Sequence, residues 1–209
     1  MHIVDDMEPL PPLVPRAKDV LAGHVLVGVA AGPTWSLGRL SSKATALDAV
    51  GIGMGAEADV GIGISRTFVL GLWGSFARYS DGNECNSCRG QAFAVGPFVR
   101  YQLSQGLRFV PWIAGGVAFR HLSLTEFAPG DQDTSSNTVD EIKDPKLTGI
   151  SWLRMELGGD YYAFSGFGFG PYGGLALSSY WDRPDNFGSA RVSTELTIGL
   201  RILLDVPGR

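Results

Sequence analysis

Between residues 51 and 65 the chain reads GIGMGAEADVGIGIS, an unbroken alternation of two unlike sets. Ile52, Met54, Ala56, Ala58, Val60, Ile62 and Ile64 fall on one side; Gly51, Gly53, Gly55, Glu57, Asp59, Gly61 and Gly63 fall on the other. A period of two belongs to an extended strand with different environments on its two faces. The same period recurs from Gly23 onward, broken by turn signals and without a sustained helical stretch. It predicts eight strands, at about 23–35, 49–64, 67–79, 90–103, 107–122, 148–162, 167–181 and 189–204. Each is long enough to cross a bilayer when tilted, whereas strands of soluble proteins are usually shorter.

The connections alternate in kind. SSKATALD, DGNECNSC, TEFAPGDQDTSSNTVDEIKDPK and RPDNFG are polar, while SRT, SQG and FSG are tight turns. With an even strand count, this puts the long connections on one rim and the short turns and both termini on the other, as in an outer-membrane barrel. The expected fold is therefore all-β, a transmembrane antiparallel up-and-down eight-stranded β-barrel over residues 23–204. It lies between a Pro-rich tail at 1–22 and a short tail at 205–209. A soluble barrel of the lipocalin or avidin kind competes, because alternation alone does not say which face points inward.

The identity of the polar face favours the membrane. A water-facing surface normally carries lysine, yet Lys18, Lys43, Lys143 and Lys146 all fall in the tail or the long connections. The lumen of an eight-stranded barrel is only wide enough for side chains to fill it. Glycine opposite large aromatics suits that space, and Trp73, Phe98, Trp112, Trp152 and Tyr172 have inward parity. The same parity turns inward Arg100, Arg108, Arg120, Arg154 and Arg201, with Glu57, Asp59, Glu156, Asp160 and Glu195. Five positive charges against five negative predict an ion-pair network filling the lumen, since buried charges persist when paired. Facing lipid, each basic residue at the midplane would instead cost roughly 2–4 kcal/mol. Pro33, Pro97, Pro111 and Pro171 fall inside predicted strands and are expected at bulges or strand ends, because proline donates no ladder hydrogen bond.

Composition narrows the class further. A formal charge of -4 with no basic run argues against nucleic acid as a partner. No stretch of 18 apolar residues exists, so no transmembrane helix is expected, which leaves strands as the crossing elements. The opening MHIVDDMEPLPPLVPRAKDV lacks the basic and apolar regions of a secretory leader, so export is expected to have involved a leader already removed.

The whole-chain layout resembles the small outer-membrane barrels of the OmpA membrane-domain and OmpX type over residues 23–204. The most specific local match is TIGLRILL, residues 197–204, which looks like the terminal signal read by the barrel-assembly machinery. Thr197, Gly199, Ile202 and Leu204 match its pattern; the usual terminal aromatic is absent and the chain runs on as DVPGR. The resemblance implies an outer-membrane location, polar loops outside the cell and termini in the periplasm. It also implies the assembly machinery as a partner during biogenesis, with outer-membrane lipid and lipopolysaccharide as surroundings.

Candidate chemistry is sparse. Cys85 and Cys88 lie in the second long connection and are expected to close a small disulfide; the redox or metal alternative lacks a helix N-terminus or further ligands. His121 and Ser123 share a face of the fifth strand and faintly resemble the His-x-Ser of outer-membrane lipid A deacylases, with Glu126 as the nearest carboxylate. A polar pair at the membrane interface is the simpler account. The third long connection is acidic (Glu126, Asp131, Asp133, Asp140, Glu141, Asp144) but does not match a calcium-loop pattern. No cofactor or metal is expected. The expected role is non-enzymatic: a structural, surface-interaction or envelope-assembly protein, with a protein partner at the loops or the N-terminal tail. A lipid A hydrolase, a small pore and a soluble ligand-binding barrel are the alternatives.

Overall fold

The computed structural model describes residues 21–39, 51–80, 89–103, 107–125, 146–182 and 191–207. They form eight strands: β1 (Val25–Gly38), β2 (Ile52–Gly63), β3 (Phe68–Tyr79), β4 (Arg89–Gln102), β5 (Phe109–Thr125), β6 (Lys146–Phe164), β7 (Phe167–Asp182) and β8 (Val192–Val206). Each pairs antiparallel with the next, and β1 closes on β8, so the sheet is a barrel without edges. All eight strands and their order match the sequence pattern. β8 extends to Val206, two residues past its expected end.

The short connections share one rim. At the first, Ser65 Oγ accepts from the amides of Thr67 (3.3 Å) and Phe68 (3.1 Å), which fixes the hairpin between β2 and β3. Between β6 and β7 only Ser165 and Gly166 intervene, and Gly166 has φ +85°, a conformation that side-chain-bearing residues rarely adopt. The N-terminal approach is held at the same rim: Gly23 N–H donates to Gly63 O and Gly63 N–H to His24 O, at 2.8 and 2.9 Å.

Three of the four prolines sit where the ladder to one neighbour is interrupted. Pairing of β1 with β8 skips Gly32 and Pro33, that of β4 with β5 skips Gly96 and Pro97 opposite a bulge at Gly116–Ala118, and that of β6 with β7 skips Gly170 and Pro171. A missing N–H thus falls at a gap in the hydrogen bonding. Pro111 lies near the start of β5, where its carbonyl accepts from Leu103 N–H at 2.9 Å.

The outer surface is apolar along every strand. Ile52, Met54, Ile62, Leu70, Leu72, Ile198, Leu200 and Ile202 are all exposed. Aromatics gather towards the two rims. Phe68 packs on Tyr101 (ring centres 5.0 Å) and Tyr161 on Phe169 (5.6 Å) near the short turns, while Phe119 faces Trp181 (6.4 Å) towards the long connections. Inside, glycines make room for rings: a Cβ on Gly158 would lie 2.6 Å from Trp112, and one on Gly199 would lie 2.7 Å from the Tyr172 ring. Trp73, Phe98, Trp112 and Tyr172 are buried in the lumen. Trp152 departs from the expectation and is 44% exposed on the outside. The register of β6 against β7 shifts between Ser151 and Leu153, and that bulge breaks the parity on which its inward assignment rested.

Oil outside and charge inside is the reverse of a soluble carrier, whose lumen receives the apolar face. The soluble ligand-binding alternative is thereby removed, because a continuous apolar girdle of this extent in water would be an aggregation surface.

Candidate functional site

The register of eight tilted strands stacks the lumen side chains in layers. At the short-turn end Leu21, Leu26, Val69, Val110 and Leu203 are fully buried. Beside them His24 Nδ1 and Asp205 Oδ1 are 2.6 Å apart, with the Asp205 side chain inaccessible to solvent. Asp205 lies beyond the expected end of β8, in the expected tail at 205–209, and the two extra residues of strand bring it inward.

The next layer centres on Asp59 of β2. It accepts from Arg100 of β4 at 3.2 Å and from Arg201 of β8, whose Nη2 lies 3.0 Å away. Arg201 Nε also lies 3.8 Å from Asp160 of β6. Both guanidiniums pack against the Trp112 ring, at 4.7 and 5.4 Å from its centre, and Arg100 lies 5.0 Å from that of Phe98. Ring faces carry negative potential, so Trp112 adds to the attraction that the carboxylates supply.

One level up, Arg154 of β6 donates to both Glu57 of β2 and Glu156 of its own strand, while its guanidinium carbon lies 3.3 Å from the centre of the Trp73 ring. Above that, Arg120 of β5 pairs with Glu195 of β8 (Nη1 to Oε1, 3.1 Å), and the Tyr79 hydroxyl donates to the same carboxylate. Tyr79 and Tyr180, both buried, escaped the sequence reading, although Tyr79 has the parity of Trp73. Between the Arg154 and Arg120 clusters lies a space of only about 10 Å³, close to the room one water needs. Thr34 with Thr197 (3.2 Å) and Ser151 with Ser178 (2.6 Å) form neutral contacts around the upper lumen, and Leu122, Leu124 and Leu147 are buried near the long-connection rim.

Nine of the ten charges assigned to the lumen therefore face it: Glu57, Asp59, Arg100, Arg120, Arg154, Glu156, Asp160, Glu195 and Arg201. Arg108 does not. It is exposed on the turn before β5, where alternation carries no directional meaning, and its carbonyl accepts from Tyr162 N–H at 2.7 Å. The expected balance of five against five becomes four arginines against five carboxylates in these clusters, with Arg154 serving two of the five.

His121 and Ser123 both face outward near the long-connection rim. His121 Nδ1 lies 3.2 Å from Thr148 Oγ1, and Ser123 stands in register between Gln91 and Lys146. No hydrogen bond joins the two among the described residues, and Glu126 lies outside them, as do Cys85 and Cys88. Of the terminal-signal positions on β8, Thr197 and Gly199 point inward and Ile202 and Leu204 outward. Among the described residues no group of three or more His, Cys, Asp or Glu is arranged to hold a metal.

Similarity to solved structures covers nearly the whole barrel. Neisserial surface protein A superposes with a TM-score of 0.50 at 15% identity, over 87% of this chain and 97% of that one. OprG from Pseudomonas aeruginosa gives 0.47 at 13% identity, over 88% and 97%. Ail, the attachment invasion locus protein of Yersinia pestis, gives 0.46 at 8% identity over 88% and 100%. No protein-family model matches the chain, and no curated protein sequence matches it.

Proposed function

We propose that this chain, an eight-stranded barrel with the fold of the small outer-membrane proteins, resides in the outer membrane of a Gram-negative bacterium as a non-enzymatic structural or surface-interaction protein. One observation carries the reading: a hydrocarbon band crosses the outside of all eight strands while nine charged residues face the axis. Such a surface matches a bilayer core, and only a closed barrel lets strands satisfy their backbone there. The long connections would then lie outside the cell, where they could meet a protein partner, with the termini in the periplasm. The assembly machinery would read Thr197, Gly199, Ile202 and Leu204 on the terminal strand during insertion.

The same residues support a lumen that conducts nothing appreciable. Each charged level is crossed by an ion pair that joins two different strands, and the space between two of these levels is near the size of one water. The protein is then a scaffold rather than a pore. Two measurements test this. Purified chain mixed with phosphatidylcholine vesicles should float with them through a density gradient and resist alkaline extraction. In planar bilayers it should give no resolved conductance steps. Well-resolved steps that vanish when Arg154 is altered would overturn the closed lumen, and a monodisperse, detergent-free protein in water would overturn the membrane location.

A further inference from the structure

On the outer face near the long-connection rim, four strands bring one polar row into register. Arg78 of β3 pairs with Gln91 of β4, Gln91 with Ser123 of β5, and Ser123 with Lys146 of β6. Adjacent strands are about 4.8 Å apart, so the row spans roughly 14 Å from one cation to the other. One outward position higher on β4 lies a third cation, Arg89. Arg78, Arg89 and Lys146 are all exposed, and none of them has an ion-pair partner among the described residues. Every described Asp and Glu of β2 to β6 faces the lumen instead, so the outer charges of these strands are cationic, and an exposed carboxylate, Asp182, stands beside them on β7 opposite Thr148.

The height of the row is fixed by what lies beneath it. One outward position lower in the same register are Phe76, Phe93, His121 and Thr148. Aromatics and His at that level mark the boundary between hydrocarbon and headgroups, which puts the cations at the level of lipid phosphates. Arg78 and Arg89 also border a groove of about 560 Å³ whose other wall is Ile52 and Met54. A ligand filling that groove meets two guanidiniums and a hydrocarbon wall together.

We infer that the row Arg78, Gln91, Ser123 and Lys146, with Arg89 above it, binds the headgroup of a phosphorylated glycolipid in the outer leaflet. The inference rests on the membrane reading above and deepens it. The cations take phosphate, arginine as a bidentate donor and lysine as a point charge. The Gln91 amide and the Ser123 hydroxyl between them suit sugar hydroxyls. The acyl chains run down the apolar face past Met54, Phe76 and Phe93. An amphiphile satisfies both halves of this surface without leaving the bilayer, which a soluble anion or an acidic protein would not.

The test uses the full chain in phosphatidylcholine nanodiscs doped with diphosphoryl lipid A, with retained lipid counted by native mass spectrometry. Each of R78Q, R89Q and K146Q should lower retention about fivefold, and R108Q at the opposite rim should leave it unchanged. Dephosphorylated lipid A should be retained no better than phosphatidylcholine, and millimolar inorganic phosphate should not displace the phosphorylated form. Unchanged retention in the triple variant, or equal retention of the dephosphorylated lipid, overturns the inference while the membrane reading stands. Displacement by inorganic phosphate overturns the assignment to lipid. Failure of the unaltered chain to enter nanodiscs or float with vesicles overturns the membrane reading and this inference with it.

Discussion

Arg154 and Trp73, on strands β6 and β3, meet across the lumen with the guanidinium carbon 3.3 Å from the centre of the indole ring, and the same guanidinium binds Glu57 and Glu156. One cation thus holds a ring and two carboxylates drawn from three strands. Removing it leaves two buried carboxylates without a partner, whereas removing Glu57 leaves Arg154 paired with Glu156. Arg154→Met should therefore cost about 3–5 kcal/mol, as breaking a buried pair does. Glu57→Gln should cost less than about 1 kcal/mol, because it equalises four cations and four carboxylates in these clusters and keeps a polar side chain in place. Urea unfolding in lipid vesicles, followed by the mobility shift between folded and unfolded barrel on gels, measures both. Equal losses in the two variants would contradict the sharing.

Gly158 abuts Trp112: a Cβ there would lie 2.6 Å from the ring and 2.8 Å from the carbonyl oxygen of Pro171. Backbone on one side leaves the ring to move, and that ring packs against Arg100 and Arg201. Gly158→Ala should destabilise by about 1–3 kcal/mol, the usual cost of overpacking. Gly74 lies on β3 with outward parity, and its nearest contact for a Cβ is a carbonyl oxygen at 3.6 Å. Gly74→Ala should be neutral within about 0.5 kcal/mol. Folded yield after refolding into vesicles separates the two, and equal yields would show that the lumen is not tightly packed at Trp112.

Trp152 lies outside on the β6 bulge while Trp73 and Trp112 are buried in the lumen. In vesicles of phosphatidylcholine with brominated acyl chains, the quenched fraction of tryptophan emission should fall when Trp152 is replaced by Phe. Lumen rings are shielded by the barrel wall, so Trp112→Phe should raise that fraction. No change on replacing Trp152 would put its ring back inside.

That tryptophan also marks the limit of what sequence reading reaches. Strand number, order and the direction of most side chains were legible because a period of two is a local property, kept without interruption along β2, β3 and β4. Parity fails where the backbone adds a residue or leaves the sheet: Trp152 follows a register shift, and Arg108 precedes β5 on a turn. Which charges meet is a different matter. Glu57 and Arg154 are 97 residues apart and reach each other across the lumen. Such neighbours are set by the tilt and stagger of the closed sheet, which no single strand encodes. The inward set was therefore readable, but the sharing of Arg154 and the roles of Tyr79, His24 and Asp205 were not.

Leu72 of β3 is 59% exposed near the middle of its strand, paired with Val60 and Pro97 and flanked by Leu70 on the same face. If hydrocarbon surrounds it, lysine at this position loses its hydration and is too far from either rim to reach water easily. Leu72→Lys should then lower stability in vesicles by about 2–4 kcal/mol, near the midplane cost of a basic residue on a barrel. In water the same substitution would be neutral or improve solubility, since lysine is favoured on wet surfaces. At Met54, two positions from the upper end of β2, the cost should be much smaller, because the side chain can extend to the headgroups. The contrast between the two positions is the decisive measurement. A penalty that declines from Leu72 to Met54 reports a bilayer around the barrel, and equal, near-zero penalties would mean that no bilayer is there.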